Sequence, residues 1–203
     1  MSVFSLFFFH AACYDFMDAQ HIGNRSERTM IRGIASLPDF VVLVFVYFIV
    51  FYRKWKEMGH LRLFLRTVFY CYLCMVVYFT LMPVLASIPN FYLYPAGTIN
   101  LSPFIDIAEG HLNAETEIIL NILMMIPFGF LLPLIMQRSP LAIISAGFLT
   151  SLAIECIQPF LNPYRAADIT DLITNTLGTI IGYLLYRLLR EHIQNMLNRI
   201  NVS

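Results

Sequence analysis

The chain has 203 residues, of which 59% are hydrophobic and 13% charged, and its mean hydropathy is +0.70. Soluble domains carry about a quarter charged residues, so the composition excludes an ordinary soluble domain and indicates a polytopic membrane protein. The formal net charge is zero and the sequence has no basic stripe with interleaved aromatic residues, so we expect no nucleic-acid partner.

Residues 1–35 are interpreted as an N-terminal arm. The apolar run from Val3 to Cys13 is only about 16 Å long at ~1.5 Å per residue, too short for a hydrocarbon core of about 30 Å. We therefore expect an interfacial segment or a surface arm, and it carries Arg25, Arg28 and Arg32.

Two membrane-spanning helices are predicted in residues 36–85. The first begins at Ser36, with Pro38 in its first turn and Asp39 near the positive end of its dipole, and it ends near Tyr52. A basic connection follows, and the second helix runs from Leu65 to Leu85. The cations of this connection are Arg53, Lys54, Lys56, Arg62 and Arg66.

Residues 86–190 are predicted to form an external loop and three further helices. The loop from Ala86 to Asn113 contains neither Lys nor Arg, and its Ser102–Phe104 part is either a re-entrant lid or an ordinary external loop. The helices are Ala114–Met136, Leu141–Phe160 and Ala167–Leu189. We expect Pro127 to kink or break the first of these three, because proline removes a backbone donor and clashes with the preceding turn. The predicted fold is an all-α transmembrane bundle of about five spans.

The distribution of basic residues predicts the orientation of the bundle. Most Lys and Arg residues fall on one side if that side holds the first connection, the turn at Arg138 and the C-terminal segment with Arg187, Arg190 and Arg199. We therefore expect a multi-pass protein of the cell membrane whose residues 191–203 form a cytoplasmic tail. With five spans the N-terminal arm is then external, and its arginines conflict with that placement.

Polar residues cluster in the last two predicted spans, where a hydrophobic sequence tolerates them least. An ionisable side chain in the bilayer costs at least about 2.5 kcal/mol, so such residues usually pair, line a cavity or serve a function. Two trios are each spaced as one face of a helix: Ser151, Glu155 and Gln158, and Asp168, Asp171 and Asn175. Arg165 lies in the turn between these helices, and Asn121 lies about two turns into the third helix. We expect these groups to converge in the outer leaflet beneath the external loop.

Four motifs of this region resemble those of the VanZ-like family of bacterial membrane proteins, over Asn100 to Tyr186. They are Asn100-Leu101-Ser102-Pro103-Phe104, Asn121 with Ile126-Pro127-Phe128-Gly129, Ser151 with Glu155 and Gln158, and Asp168-Ile169-x-Asp171 with Asn175-Thr176-x-Gly178. The resemblance implies an accessory protein that lowers sensitivity to teicoplanin. It supplies no agreed catalytic residues, so none are assigned.

The interpretation we favour is a non-catalytic accessory protein with a polar pocket for a lipid-like or amphiphilic molecule. The ligand would be a membrane lipid, a lipoglycopeptide antibiotic or a lipid-linked cell-wall precursor. We predict neither a cofactor nor a metal site. The expected ligand-binding residues are Ser102, Phe104, Asn121, Glu155, Gln158, Arg165, Asp168, Asp171 and Asn175.

Three alternatives stay open. The first is an intramembrane enzyme acting on a lipid phosphate or glycolipid, in which three acids could hold a divalent cation. The second is a proton-coupled transporter, and the third is a buried charge network that only locks two helices together. For Gly178-x-x-x-Gly182 we favour internal helix packing over dimerisation, and the sequence predicts no oligomeric state.

Overall fold

The computed structural model describes residues 25–88, 97–162 and 165–202. The apolar run from Val3 to Cys13 and loop residues 89–96 lie outside the described residues. Within the described ranges, five helices are long and apolar enough to cross a membrane: Met30–Lys56, His60–Ser87, Ala114–Ile135, Pro140–Leu161 and Ile169–Asn195. The prediction of an all-α bundle is confirmed, and the protein is a multi-pass membrane protein.

The first span begins before the predicted position. It consists of α1 (Arg25–Ala35), α2 (Leu37–Val46), a π-helical segment (Tyr47–Tyr52) and α3 (Arg53–Lys56). The predicted start at Ser36 is wrong, because Ser36 itself has helical backbone angles (φ −85°, ψ −11°) and its side chain caps no amide. Its hydroxyl instead donates to the carbonyl of Arg32 at 2.8 Å, as in a continuing helix.

The second span consists of α4 (His60–Thr80) and the short α5 (Val84–Ser87), so it begins earlier than the predicted Leu65. Two charged residues of the first span bind the backbone where α4 ends and α5 begins. Arg32 donates at 3.2–3.3 Å to three carbonyls, those of Tyr78, Phe79 and Met82. Asp39 accepts the amides of Val84 and Leu85 at 2.8 and 3.0 Å. Helix ends leave such groups without helical partners, so the first span fixes the end of the second.

A short parallel strand pair connects the loop to the start of the fifth span. Strand β1 (Ile99–Asn100) pairs with β2 (Ala167–Asp168), so that Asn100 lies opposite Asp168, and α6 (Ile105–Ala108) follows β1. We predicted that the fifth helix begins at Ala167, but α9 (Ile169–Val202) begins two residues later. Ala167 and Asp168 are extended instead, because they pair with Ile99 and Asn100 of β1, and the amide of Ala167 donates to the Thr98 carbonyl at 2.9 Å.

The remaining spans are α7 (Ala114–Ile135) and α8 (Pro140–Leu161), close to their predicted bounds. Helix α7 continues through Pro127 and Pro133, so the break that we allowed for at Pro127 is absent. Helix α9 extends to Val202 and thus includes the residues predicted as a tail.

Helices α7 and α9 approach each other closely at glycines. A β-carbon on Gly178 would contact the backbone carbonyl of Ile122, and one on Gly182 would contact that of Ile126. The prediction that Gly178-x-x-x-Gly182 serves internal packing is confirmed. The buried cluster around this contact is Tyr72, Val76, Met125, Phe128, Leu132, Ile143, Ile154 and Tyr183.

Because successive spans alternate in direction, the ends of α4 and α8 and the starts of α7 and α9 lie together. The side chain of Gln158 donates to the carbonyl of Thr80 at 3.2 Å, which connects the ends of α8 and α4. We name this end of the bundle, which also carries β1, β2 and α6, the loop end.

Candidate functional site

The polar groups of the loop end are arranged around Asp168. Its Oδ1 accepts the amide of Thr170 at 2.6 Å, and its Oδ2 accepts the side-chain amide of Asn100 at 2.9 Å. Its own amide donates to Oε2 of Glu155 at 3.0 Å. Asp168 lies in β2, opposite Asn100, and its carboxylate caps the first turn of α9 from outside the helix, as a capping residue does. The predicted trio of Asp168, Asp171 and Asn175 on one helix face is therefore wrong for Asp168.

The loop is attached to α9 through Thr170. The hydroxyl oxygen of Thr170 accepts the amide of Phe104 at 2.9 Å. Phe104 has a left-handed backbone (φ 59°), which is unusual for a bulky side chain and persists only when the surroundings hold it. The neighbouring Ser102 has an exposed side chain, and its amide donates to Oδ1 of Asn100 at 3.1 Å. Phe104 is thus held at the site, whereas Ser102 contributes a backbone contact.

A second layer of side-chain amides lies deeper in the bundle. Asn121 on α7 donates to Oδ1 of Asp171 at 2.6 Å, and Asn175 donates to the hydroxyl of Ser151 at 3.0 Å. Asn175 and Ser151 are buried, with exposed fractions of 2% and 0%. The two polar faces predicted on α8 and α9 therefore do meet, but through pairs of residues rather than in one chamber.

A cavity of about 470 Å³ opens beside Asp168 and is rich in charged groups. We name it the polar cavity. Among its lining residues are Phe104, Asp106, Glu117, Arg165, Asp168 and Asp171. Arg165 is exposed, and none of the described carboxylates forms an ion pair with it. Among the described residues, the cation that the sequence assigned to balance the acids is therefore not paired with any of them.

A second cavity, of about 290 Å³, is lined by residues of both β1 and β2 and by Glu155 of α8. We name it the apolar cavity, because its lining includes Ile99, Leu101, Leu152, Phe160, Ile169 and Leu172. Asp168 lines this cavity as well as the polar cavity. A polar and an apolar space thus share one wall residue.

Gln158 lies apart from both cavities. It lines a smaller space of about 90 Å³ together with Arg32, Ser87 and Arg165. Its amide nitrogen bonds to Thr80, while its Oε1 is buried and has no partner among the described atoms.

Sequence reasoning missed Glu117 and Thr170, and it did not assign Asp106 to the site. A signal for Glu117 exists, because it lies one helical turn before Asn121 and so on the same face of α7. The pattern Asp168-x-Thr170 is typical of a capping turn, which could have identified Thr170. Within the described ranges, no three His, Cys, Asp or Glu side chains are grouped to hold a metal ion.

Comparison with known proteins places this region in a family. The sequence model of the VanZ/LLP1 family matches residues 69–190, which include every lining residue of the polar and apolar cavities. Protein VanZ from Enterococcus faecium is 34% identical over 138 residues, covering 64% of this chain and 78% of that protein. No solved structure matches the chain. The chain belongs to the VanZ/LLP1 family.

Proposed function

We propose that this protein is an accessory membrane protein that binds a lipid-like or amphiphilic molecule at the loop end. The polar part of the ligand would occupy the polar cavity, and its hydrocarbon chain would occupy the apolar cavity. The observation that carries this proposal is the shared wall at Asp168, which puts a charged space of about 470 Å³ next to an apolar space of about 290 Å³. Ligand sites commonly combine apolar walls with a few placed polar groups in this way.

The charged groups of the polar cavity suit a hydrogen-bonding head group. The guanidinium of Arg165 presents several donors in a planar fork, which matches a phosphate or carboxylate. The carboxylates of Glu117 and Asp171 accept hydrogen bonds from hydroxyl or amine groups. The Asn121 amide fixes Asp171 at 2.6 Å, so this acceptor is oriented before the ligand binds.

We further propose that the loop end is external and the C-terminus cytoplasmic. The opposite end of the bundle carries most of the described cations: Arg53, Lys54, Lys56, Arg62, Arg66, Arg138, Arg187 and Arg190. Cytoplasmic ends are enriched in Lys and Arg, which supports this orientation. Arg32 lies at the loop end, but its guanidinium is occupied by the carbonyls that end α4. This role accounts for an arginine on the external side.

The family resemblance supplies the biological context. It implies proteins that lower sensitivity to teicoplanin, and we propose the same role for this chain. The antibiotic itself or a lipid-linked cell-wall precursor would then be the amphiphile, entering the apolar cavity from the outer leaflet.

A native thiol allows binding to be tested. Cys156 is exposed and lines the apolar cavity, whereas Cys71 is exposed on α4 and lines neither cavity. In a C13A/C74A variant in detergent, we expect a lysophospholipid to slow the reaction of N-ethylmaleimide with Cys156 several-fold and to leave Cys71 unaffected. Equal slowing of both thiols, or slowing of neither, would contradict the proposal.

A further inference from the structure

Some charged groups that line the polar cavity already form hydrogen bonds at all of their positions within the protein, and others do not. Both carboxylate oxygens of Asp168 already accept protein amides, and Asp106 contacts the His111 ring at 2.8 Å. Within the described structure, the carboxylate of Asp171 accepts a hydrogen bond through Oδ1 only. For Glu117 and Arg165, the described structure contains no side-chain partner. A ligand in this cavity therefore meets one guanidinium and two carboxylates that have unused hydrogen-bonding positions.

The balance of charge restricts the kind of head group that fits. Four carboxylates line the cavity, those of Asp106, Glu117, Asp168 and Asp171, against the single cation Arg165. A purely anionic head group would pair with Arg165 but would also be brought close to unpaired carboxylates, and like charges at close range repel. A head group without an anion would leave Arg165 unpaired. A zwitterion with an anion and an ammonium group satisfies both kinds of site.

We infer, on the basis of the proposed function, that the ligand is a zwitterionic amphiphile with a phosphate and a primary ammonium group. The phosphate would bind Arg165, and the ammonium would donate to Oδ2 of Asp171 and to Glu117. Glu117 belongs to the first turn of α7 and is exposed, whereas Asp171 is half-buried, so the two acceptors lie at the mouth and the inner part of the cavity. A quaternary ammonium lacks N–H donors and would bind these acceptors less well.

The test compares three lipids with identical acyl chains. Dioleoyl phosphatidylethanolamine, phosphatidylcholine and phosphatidylglycerol are added separately to the delipidated full-length protein in detergent, and 1:1 complexes are measured by native mass spectrometry. We expect the ethanolamine lipid to bind about tenfold more tightly than either of the others, a difference typical of one charged pair. D171N and E117Q should abolish this preference, and R165Q should weaken the binding of all three lipids, because each carries the phosphate that Arg165 would bind. E57Q, at an exposed position on the opposite end of the bundle, is the matched control and should change nothing.

The outcomes separate this inference from the proposed function. If the glycerol lipid binds as tightly as the ethanolamine lipid, or more tightly, and R165Q weakens it, the inference is wrong but the amphiphile site stands. If wild-type protein binds none of the three lipids and Cys156 is not protected by a lysophospholipid, the proposed function fails as well. Because Glu117 is exposed and E117Q removes no described contact, unchanged selectivity in that variant would also overturn the inference.

Discussion

The side-chain amide of Asn121 on α7 donates to Oδ1 of Asp171 on α9 across 2.6 Å. This contact links α7 and α9, which also meet at Gly178 and Gly182. Hydrogen bonds to an ionised acceptor are about twice as strong as those between neutral groups. The contact leaves Oδ2 of Asp171 unbonded within the described structure. The same pair therefore stabilises the bundle and orients an acceptor in the polar cavity.

Replacing Asn121 should destabilise the protein, because N121A leaves a half-buried carboxylate without its donor. We expect a loss of about 1–3 kcal/mol in the free energy of unfolding, measured by thermal unfolding in detergent. L120A, at the preceding and 57% exposed position, is the control for truncation on the lipid-facing side. Equal effects of the two substitutions would show that the hydrogen bond contributes little.

Removing the charge of Asp171 separates a binding role from helix locking. D171N keeps the shape of the side chain and an acceptor for Asn121, so we expect normal membrane abundance but loss of protection against teicoplanin. E155Q should also leave membrane abundance normal, since an amide oxygen can still accept the Asp168 amide, and we expect loss of protection because it removes a charge from the wall of the apolar cavity. E191Q, exposed on the same helix, is the control.

Two other results would be informative for these charge variants. Unchanged protection by D171N and E155Q, at normal abundance, would refute the charged site. Loss of the protein from the membrane would instead favour a buried charge network, because removing one charged partner leaves the other buried and unpaired. Abundance is measured by immunoblot and sensitivity by the inhibitory concentration of teicoplanin.

The contact between α7 and α9 depends on the absence of side chains at the glycines. G182A would bring a β-carbon against the carbonyl of Ile126 and the amide of Phe130, and overpacking of this kind costs about 1–3 kcal/mol. G33A is the matched control, because a β-carbon on Gly33 in α1 meets nothing within 4 Å. Since alanine favours helix more than glycine does, G33A should be neutral or slightly stabilising. A similar unfolding temperature for both variants would contradict this account.

The spans were predictable from sequence because a bilayer sets their length and apolar character. The starts and ends of α7 and α8 were close to prediction, since Asn113 and the Ser139-Pro140 pair delimit long apolar runs. The start of the first span was not, because α1 contains Arg32, a charged residue that binds the end of α4. Its role depends on a tertiary partner that no local pattern reveals.

The candidate site was predictable in its residue types more than in its arrangement. Polar residues in apolar spans identified Glu155, Asp171 and Asn121 as unusual, and the structure pairs each of them. The strand position of Asp168 depends on Asn100, which lies 68 residues earlier in the sequence. Helical spacing alone cannot detect such a partner, so it assigned Asp168 to the helix.

Thr170 should control the position of the loop at the mouth of the polar cavity. T170V keeps the shape of the side chain but removes the oxygen that accepts the Phe104 amide at 2.9 Å. Because one hydrogen bond contributes about 0.5–1.5 kcal/mol, we expect hydrogen exchange to increase by roughly two- to tenfold in a peptide covering residues 101–108. The left-handed backbone of Phe104 would then lack the contact that opposes its strain.

Two variants test whether this effect is specific to the loop contact. T170S retains the hydroxyl and should exchange as wild type. T176V removes a hydroxyl that donates only to the Leu172 carbonyl within α9, at 2.7 Å, so it should leave residues 101–108 unchanged. If T170V exchanges no faster than T176V, the loop is held by other contacts, and Thr170 does not position Phe104 over the cavity.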